Sequence, residues 1–125
     1  MKFFKNPIII GIIFFIGGFI YWHFNYSPIA FNPEIWKQGE YAEFSTKAPR
    51  LRMADGLVHS GILLNKTVDE IVEMLGLPSE TEYFQNYNMV YWLGAERGLF
   101  SIDSEWLVIR LNSLGKAEEI RIVGD

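Results

Sequence analysis

The chain has 125 residues, no cysteine and a formal charge of −4. The missing cysteines exclude disulfides and thiolate metal sites, and nine Lys and Arg against fifteen Asp and Glu from Phe31 onward exclude the basic face of a nucleic-acid binder. The length suits one small domain with an appended segment.

The appended segment comes first. Residues 8–24 contain no Asp, Glu, Lys or Arg. With Pro7 and the boundary residues to Tyr26, the run meets the about 20 residues of a membrane-spanning helix. Lys2 and Lys5 precede it, and the next lysine is Lys37. The positive-inside bias therefore predicts a cytoplasmic N-terminus and an external remainder. Tyr21, Trp22, His23 and Tyr26 close the run with amphipathic rings suited to the headgroup layer. The apolar core exceeds the roughly 7–15 residues of a secretory signal. The nearest cleavage candidate, Pro28-Ile29-Ala30, begins with an ill-fitting proline. The reading is a retained anchor, with cleavage as the alternative.

Residues 27–49 read as a connector punctuated by Pro28, Pro33 and Pro49. Asn32-Pro33-Glu34 predicts a short helix, with Asn as N-cap, Pro in the first turn and Glu complementing the dipole. Ile35, Trp36 and Tyr41 are expected to pin the connector to the domain. Residues 50–58 predict a helix with Leu51, Ala54 and Val58 on one stripe, joined by Met53 and Leu57. Gly56 weakens it by about 1 kcal/mol relative to Ala, and Arg50 and Arg52 stand at the end the dipole disfavours for cations. The next helix, residues 67–75, carries the best signals. Thr67 and Glu70 make a capping box, Asp69 adds charge to the first turn, and Val68, Ile71, Val72 and Leu75 share a face. Gly76 and Pro78 end it; Gly76 is expected in a left-handed conformation.

Beyond Pro78 the period becomes two. Strands are predicted over residues 89–93, 106–111 and 117–123. Leu107, Ile109 and Leu111 fall on one face of the second strand; Trp106, Val108 and Arg110 fall on the other. In the third, Ile120 and Ile122 oppose Glu119 and Arg121. Residues 112–116 form a short hairpin loop containing Gly115. Helices must cover the apolar sheet face. The predicted class is α+β: an N-terminal transmembrane helix, then a two-layer domain of two helices on a three-stranded antiparallel sheet. The segments are 1–26 cytoplasmic N-terminus and anchor, 27–49 connector and 50–125 domain.

Several motifs in that order resemble the SmpA/OmlA (BamE-like) domain family over residues 63–123. They are Leu64-Asn65-Lys66-Thr67 at the helix entry, Glu70-Ile71-Val72 within it and Leu75-Gly76-Leu77-Pro78 at its exit. Tyr91-Trp92 stands in the first strand, and Leu107 to Gly115 covers the second strand and its turn. The resemblance implies a non-enzymatic scaffold or interaction domain of the bacterial envelope. The topology then places the chain in the inner membrane, with a cytoplasmic N-terminus and a periplasmic domain. The chain differs from lipoprotein relatives in having no lipidation cysteine and in carrying an anchor.

No catalytic residue or cofactor site is assigned. Asp55 and His59, four apart, share a helix face, but a metal site needs three or four ligands and the other histidine, His23, lies in the anchor. A surface pair is the preferred reading. The candidate partner-binding residues are Tyr91, Trp92, Trp106 and Arg110, expected on the sheet face that the helices leave open. Exposed aromatics with Arg mark partner sites. Of Tyr83, Phe84, Tyr87, Tyr91, Trp92, Phe100 and Trp106, most are expected to pack in the core or on a strand face, and the competing reading has the connector around Trp36 and Tyr41 covering the open face. The expected partners are the lipid bilayer, through the N-terminal helix, and an envelope protein. The alternative function is a module binding a small apolar or peptide ligand between sheet and connector.

Overall fold

Among the described residues four helices precede three strands: α1 (Pro7–Tyr26), α2 (Pro33–Gln38), α3 (Pro49–Ser60), α4 (Val68–Leu75), β1 (Met89–Ala95), β2 (Ser104–Leu111) and β3 (Ala117–Gly124). The computed structural model describes residues 5–39, 48–97 and 103–125, without the side chains of residues 24–26. Lys2, Tyr41, Phe100 and the Tyr26 ring lie outside the described residues.

In α1, Asn6 Oδ1 accepts from the Ile8 amide at 2.9 Å, and Pro7 occupies the first turn. Among the described residues, no helix is long and apolar enough to cross a membrane. The side chains described in α1 stop at His23, short of the about 20 residues that a bilayer core takes. The membrane span thus rests on the sequence reading and is not established by the fold.

The local signals of the next helices are realised. Asn32 Oδ1 accepts from the amides of Glu34 and Ile35, at 2.9 and 3.2 Å, and opens α2. Helix α3 runs slightly past both expected ends and stops at Gly61, which is left-handed. At α4 the Thr67 amide donates to Glu70 Oε1 at 3.1 Å, and the Glu70 amide donates to Thr67 Oγ1 at 3.3 Å. Hydrogen bonds from Thr67 hold the Glu70 carboxyl below its ordinary pKa. Gly76 ends α4 with φ 78° and ψ −172°. That region is open essentially to glycine alone, and it differs from the expected left-handed helical turn.

The sheet is an antiparallel meander in the order β1-β2-β3, so β2 is central. Tyr91, Leu107 and Ile122 lie side by side across it, as do Met89, Ile109 and Ile120. These residues share a core with Leu51 and Leu57 of α3 and Ile71 and Leu75 of α4. Trp36 of α2, fully buried, joins the same core, so the connector contributes a helix to the layer expected from two. The register of β1 shifts at Gly94, which has φ 148°; a Cβ there would meet Leu51 Cδ1 at 2.9 Å. Gly94 thus lets α3 close onto the strand. In the β2–β3 hairpin, Asn112 Oδ1 accepts from the amides of Leu114 and Lys116. The entry to α4 is laced to β3: Asn65 N donates to Ala117 O, and Ala117 N to Lys66 O, each at 2.9 Å.

The opposite sheet face is not open. Trp106, Val108 and Val90 form a second core with Phe84, Tyr87, Trp92 and Val123 against it. Ile109→Ala should cost about 2–5 kcal/mol in urea unfolding followed by circular dichroism. Val108 is equally buried on the other face, so Val108→Asp should be at least as damaging. A loss below about 0.5 kcal/mol, the range of surface changes, would contradict the burial of either side.

Candidate interaction face

The candidate residues do not share one face. Trp92 and Trp106 are cross-strand partners in β1 and β2, and Arg110 stands two pairs further along the same side of β2. Tyr91 points the other way. It is fully buried under the helices, its ring meets Trp36 edge-on at 6.5 Å, and its hydroxyl donates to Gly76 O at 2.8 Å. The physical reason is parity: once Leu107 faces the helices, its antiparallel partner Tyr91 must as well.

The expected exposure of Trp106 is also corrected. It is 8% exposed. Among the described residues the cover is neither the helices nor Trp36, which sits on the other side of the sheet, but the segment between α4 and β1. Residues 79–88 cross the face as a strap. Ser79 fastens the start: its amide donates to Val90 O at 2.8 Å, and its hydroxyl accepts from the Trp92 amide at 2.9 Å. Asn88 fastens the end, donating from its amide to Ile109 O and accepting from the Leu111 amide. Between them, the Tyr83 and Phe84 rings lie 6.0 and 6.2 Å from Trp106. Phe84 has φ 57°, a backbone state that costs a non-glycine residue of order 1–3 kcal/mol unless packing holds it. Its contact with Trp106 supplies that packing.

The polar rim follows from the same register. Trp106 Nε1 donates to Asp125 Oδ2 at 2.9 Å, and the Ser104 amide donates to Asp125 Oδ1 at 2.9 Å. The Ser104 amide first, and then the Trp106 indole, hold the Asp125 carboxyl below its usual range. Arg110 pairs with Glu119, its cross-strand neighbour, and its guanidinium lies 4.5 Å from the centre of the Tyr87 ring. Arg121 reaches Glu119 at 3.6 Å. Trp92, Tyr87 and Arg110 are half-buried, and Tyr83, at 58% exposure, is the outermost ring. The accessible face is therefore the strap's outer surface. The sequence reading named Tyr83 only among packing aromatics; Ser79 and Asn88 at the strap's ends were the signal that it closes on the sheet.

Elsewhere, Asp55 and His59 do not form a ligand pair. Asp55 receives Arg97 Nη1 at 2.7 Å, and Arg97 also grips Glu105 through both carboxylate oxygens. These carboxylates push the Arg97 pKa further up. His59 Nδ1 lies 2.7 Å from the Asp55 carbonyl oxygen. Among the described residues, no group of three or more His, Cys, Asp or Glu is placed to hold a metal ion. Comparison with family models, with curated proteins and with solved structures finds no match.

Two predictions separate packing from rim. Trp106→Ala should cost about 3–5 kcal/mol of unfolding free energy, whereas Arg110→Ala, which breaks a half-exposed pair, should cost about 0–1 kcal/mol; urea melts measure both. The lowered Asp125 pKa gives a pH dependence. Its stabilisation is complete above the ordinary aspartate value, about 3.9, and is lost as pH falls through the lower folded value. Asp125→Asn should make the acid limb of the stability curve shallower.

Proposed function

We propose that the chain is a membrane-anchored, non-catalytic interaction module of the bacterial cell envelope. In this reading α1 spans the inner membrane with its N-terminus in the cytoplasm, and the α+β domain is periplasmic. The observation that carries it is α1 itself. Every side chain described from residue 10 to residue 23 is exposed, including Phe14 at 77% and Phe15 at 79%. A helix that is apolar all round belongs in a protein core or in a bilayer, and this one lies in no described core. Lys2 and Lys5 at one end, and Tyr21 and Trp22 at the other, support the orientation.

The order α3, α4, β1, β2, β3 supports the resemblance to SmpA/OmlA domains, and with it an envelope role. The engagement of Asp55 by Arg97 favours a binding role over chemistry at that pair. The partner-binding surface is the outer side of the strap and the sheet residues beside it: Tyr83, Trp92, Tyr87 and Arg110. Rings and an arginine there offer contact area at a small entropic cost.

The test uses the full-length chain. It should stay with membranes through alkaline carbonate extraction, and protease added to spheroplasts should digest the domain. Release by carbonate would remove the anchor, and protection until lysis would reverse the topology. An envelope protein that co-purifies in mild detergent should be lost on Tyr83→Ala with Arg110→Ala while the circular dichroism is unchanged. Retention of that partner would place the interface elsewhere.

A further inference from the structure

The end of α1 and the start of the domain leave no slack between them. Ser27 directly follows α1 and caps it, its amide donating to His23 O at 3.3 Å. The same residue is held by α3: Arg52 Nε donates to Ser27 O at 2.8 Å, and Arg52 Nη2 to Ser27 Oγ at 3.1 Å. Two residues on, the Ile29 amide donates to Arg52 O at 3.0 Å, and the Asn32 amide meets Met53 Sδ at 3.3 Å. Ile29 and Phe31 pack against the helix-side core, and Phe31 meets the buried Trp36 ring edge-on at 6.0 Å. Residues 27–36 are thus fixed to α3 from the first residue after α1.

We propose that Arg52 locks α1 and the domain into one rigid body, so that the domain is seated directly on the headgroup layer of the bilayer instead of swinging on a tether. This rests on the membrane-anchor reading of α1. At 1.5 Å per helical residue, Trp22 lies only about 8 Å along the axis from Ser27. If the Tyr21 and Trp22 rings mark the headgroup depth, Arg52 and residues 27–30 stand at its edge. The charge balance makes the lock useful. The domain carries an excess of carboxylates, which an anionic bilayer repels within about a Debye length, ~8 Å. A flexible connector would let the domain drift outward; a two-pronged guanidinium contact on the cap of the anchor prevents that. Guanidinium is suited to this because its planar fork fixes direction as well as distance.

The absence of cysteine makes the test clean. Lys5→Cys and Glu118→Cys, both exposed positions, carry spin labels on the full chain in phospholipid nanodiscs, and their separation is read by pulsed dipolar spectroscopy. The chain with Arg52 intact should give one narrow distance distribution. Arg52→Ala should broaden it at least twofold, and Arg52→Lys, which keeps the charge and loses the fork, should also broaden it. A broad distribution in the parent chain, or a width unchanged by Arg52→Ala, overturns the proposal. The parent measurement decides even if Arg52→Ala proves unstable in urea. Carbonate extraction keeps the two readings apart. A chain that is released loses the anchor, whereas one that stays inserted with a broad distribution loses only the lock.

Discussion

The central strand has to be dry on both sides, and the rest of the domain is arranged around that requirement. Trp106, Leu107, Val108 and Ile109 are consecutive in β2 and all buried. Successive side chains in a strand point to opposite faces, so one layer of helices satisfies only half of them. Leu107 and Ile109 are covered by α2, α3 and α4. Trp106 and Val108 require a second cover, and the chain makes it from residues 79–88, in the segment between α4 and β1. This explains why residues 79–88 are rich in rings without forming a regular element. It also explains the strained backbone at Phe84: the strap must turn sharply to lay its rings on Trp106.

Elements specified by neighbouring residues were legible in the sequence, and those specified by distant ones were not. The capping box at Thr67 and Glu70, the Asn32 cap and the alternation in β2 are local, and each appears in the structure as read. Which face of β1 holds Tyr91 depends on its register against β2. That register is set by pairing with a strand distant in sequence and by the shift at Gly94, and no local pattern encodes it. The cover over Trp106 was misread for a related reason. A two-helix count suggested a leftover face, but irregular chain can bury a sheet as well as a helix does, provided its backbone groups find partners. Ser79 and Asn88 supply those partners at the two ends of the strap.

The two arginines at the start of α3 were the clearest local anomaly, since cations there oppose the helix dipole. Both are explained by what they hold. Arg50, almost fully buried, donates to Trp36 O at 2.7 Å and to Trp92 O at 3.1 Å, and its guanidinium lies 5.1 Å from the Trp36 ring centre. It therefore ties α2 and β1 to α3. Arg52 ties the cap of α1 to the same helix. A cost of about 0.3–1 kcal/mol each against the dipole is small beside the hydrogen bonds to a charged donor, worth about 1.5–3 kcal/mol apiece.

Local rules tend to fail where a tertiary or functional demand overrides them, and α3 shows where that demand lies. Its apolar stripe faces the sheet, as any covering helix must. Its first turn gathers the segment that leads in from α1, through Arg50 at the Trp36 end and Arg52 at the Ser27 end. Helix α3 is thus both a layer of the core and the seat of residues 27–36. A load on the sheet would pass to α3 and from there to residues 27–36 through the Arg52 fork on Ser27, the Ile29 amide bond to Arg52 O and the contact of Phe31 with Trp36.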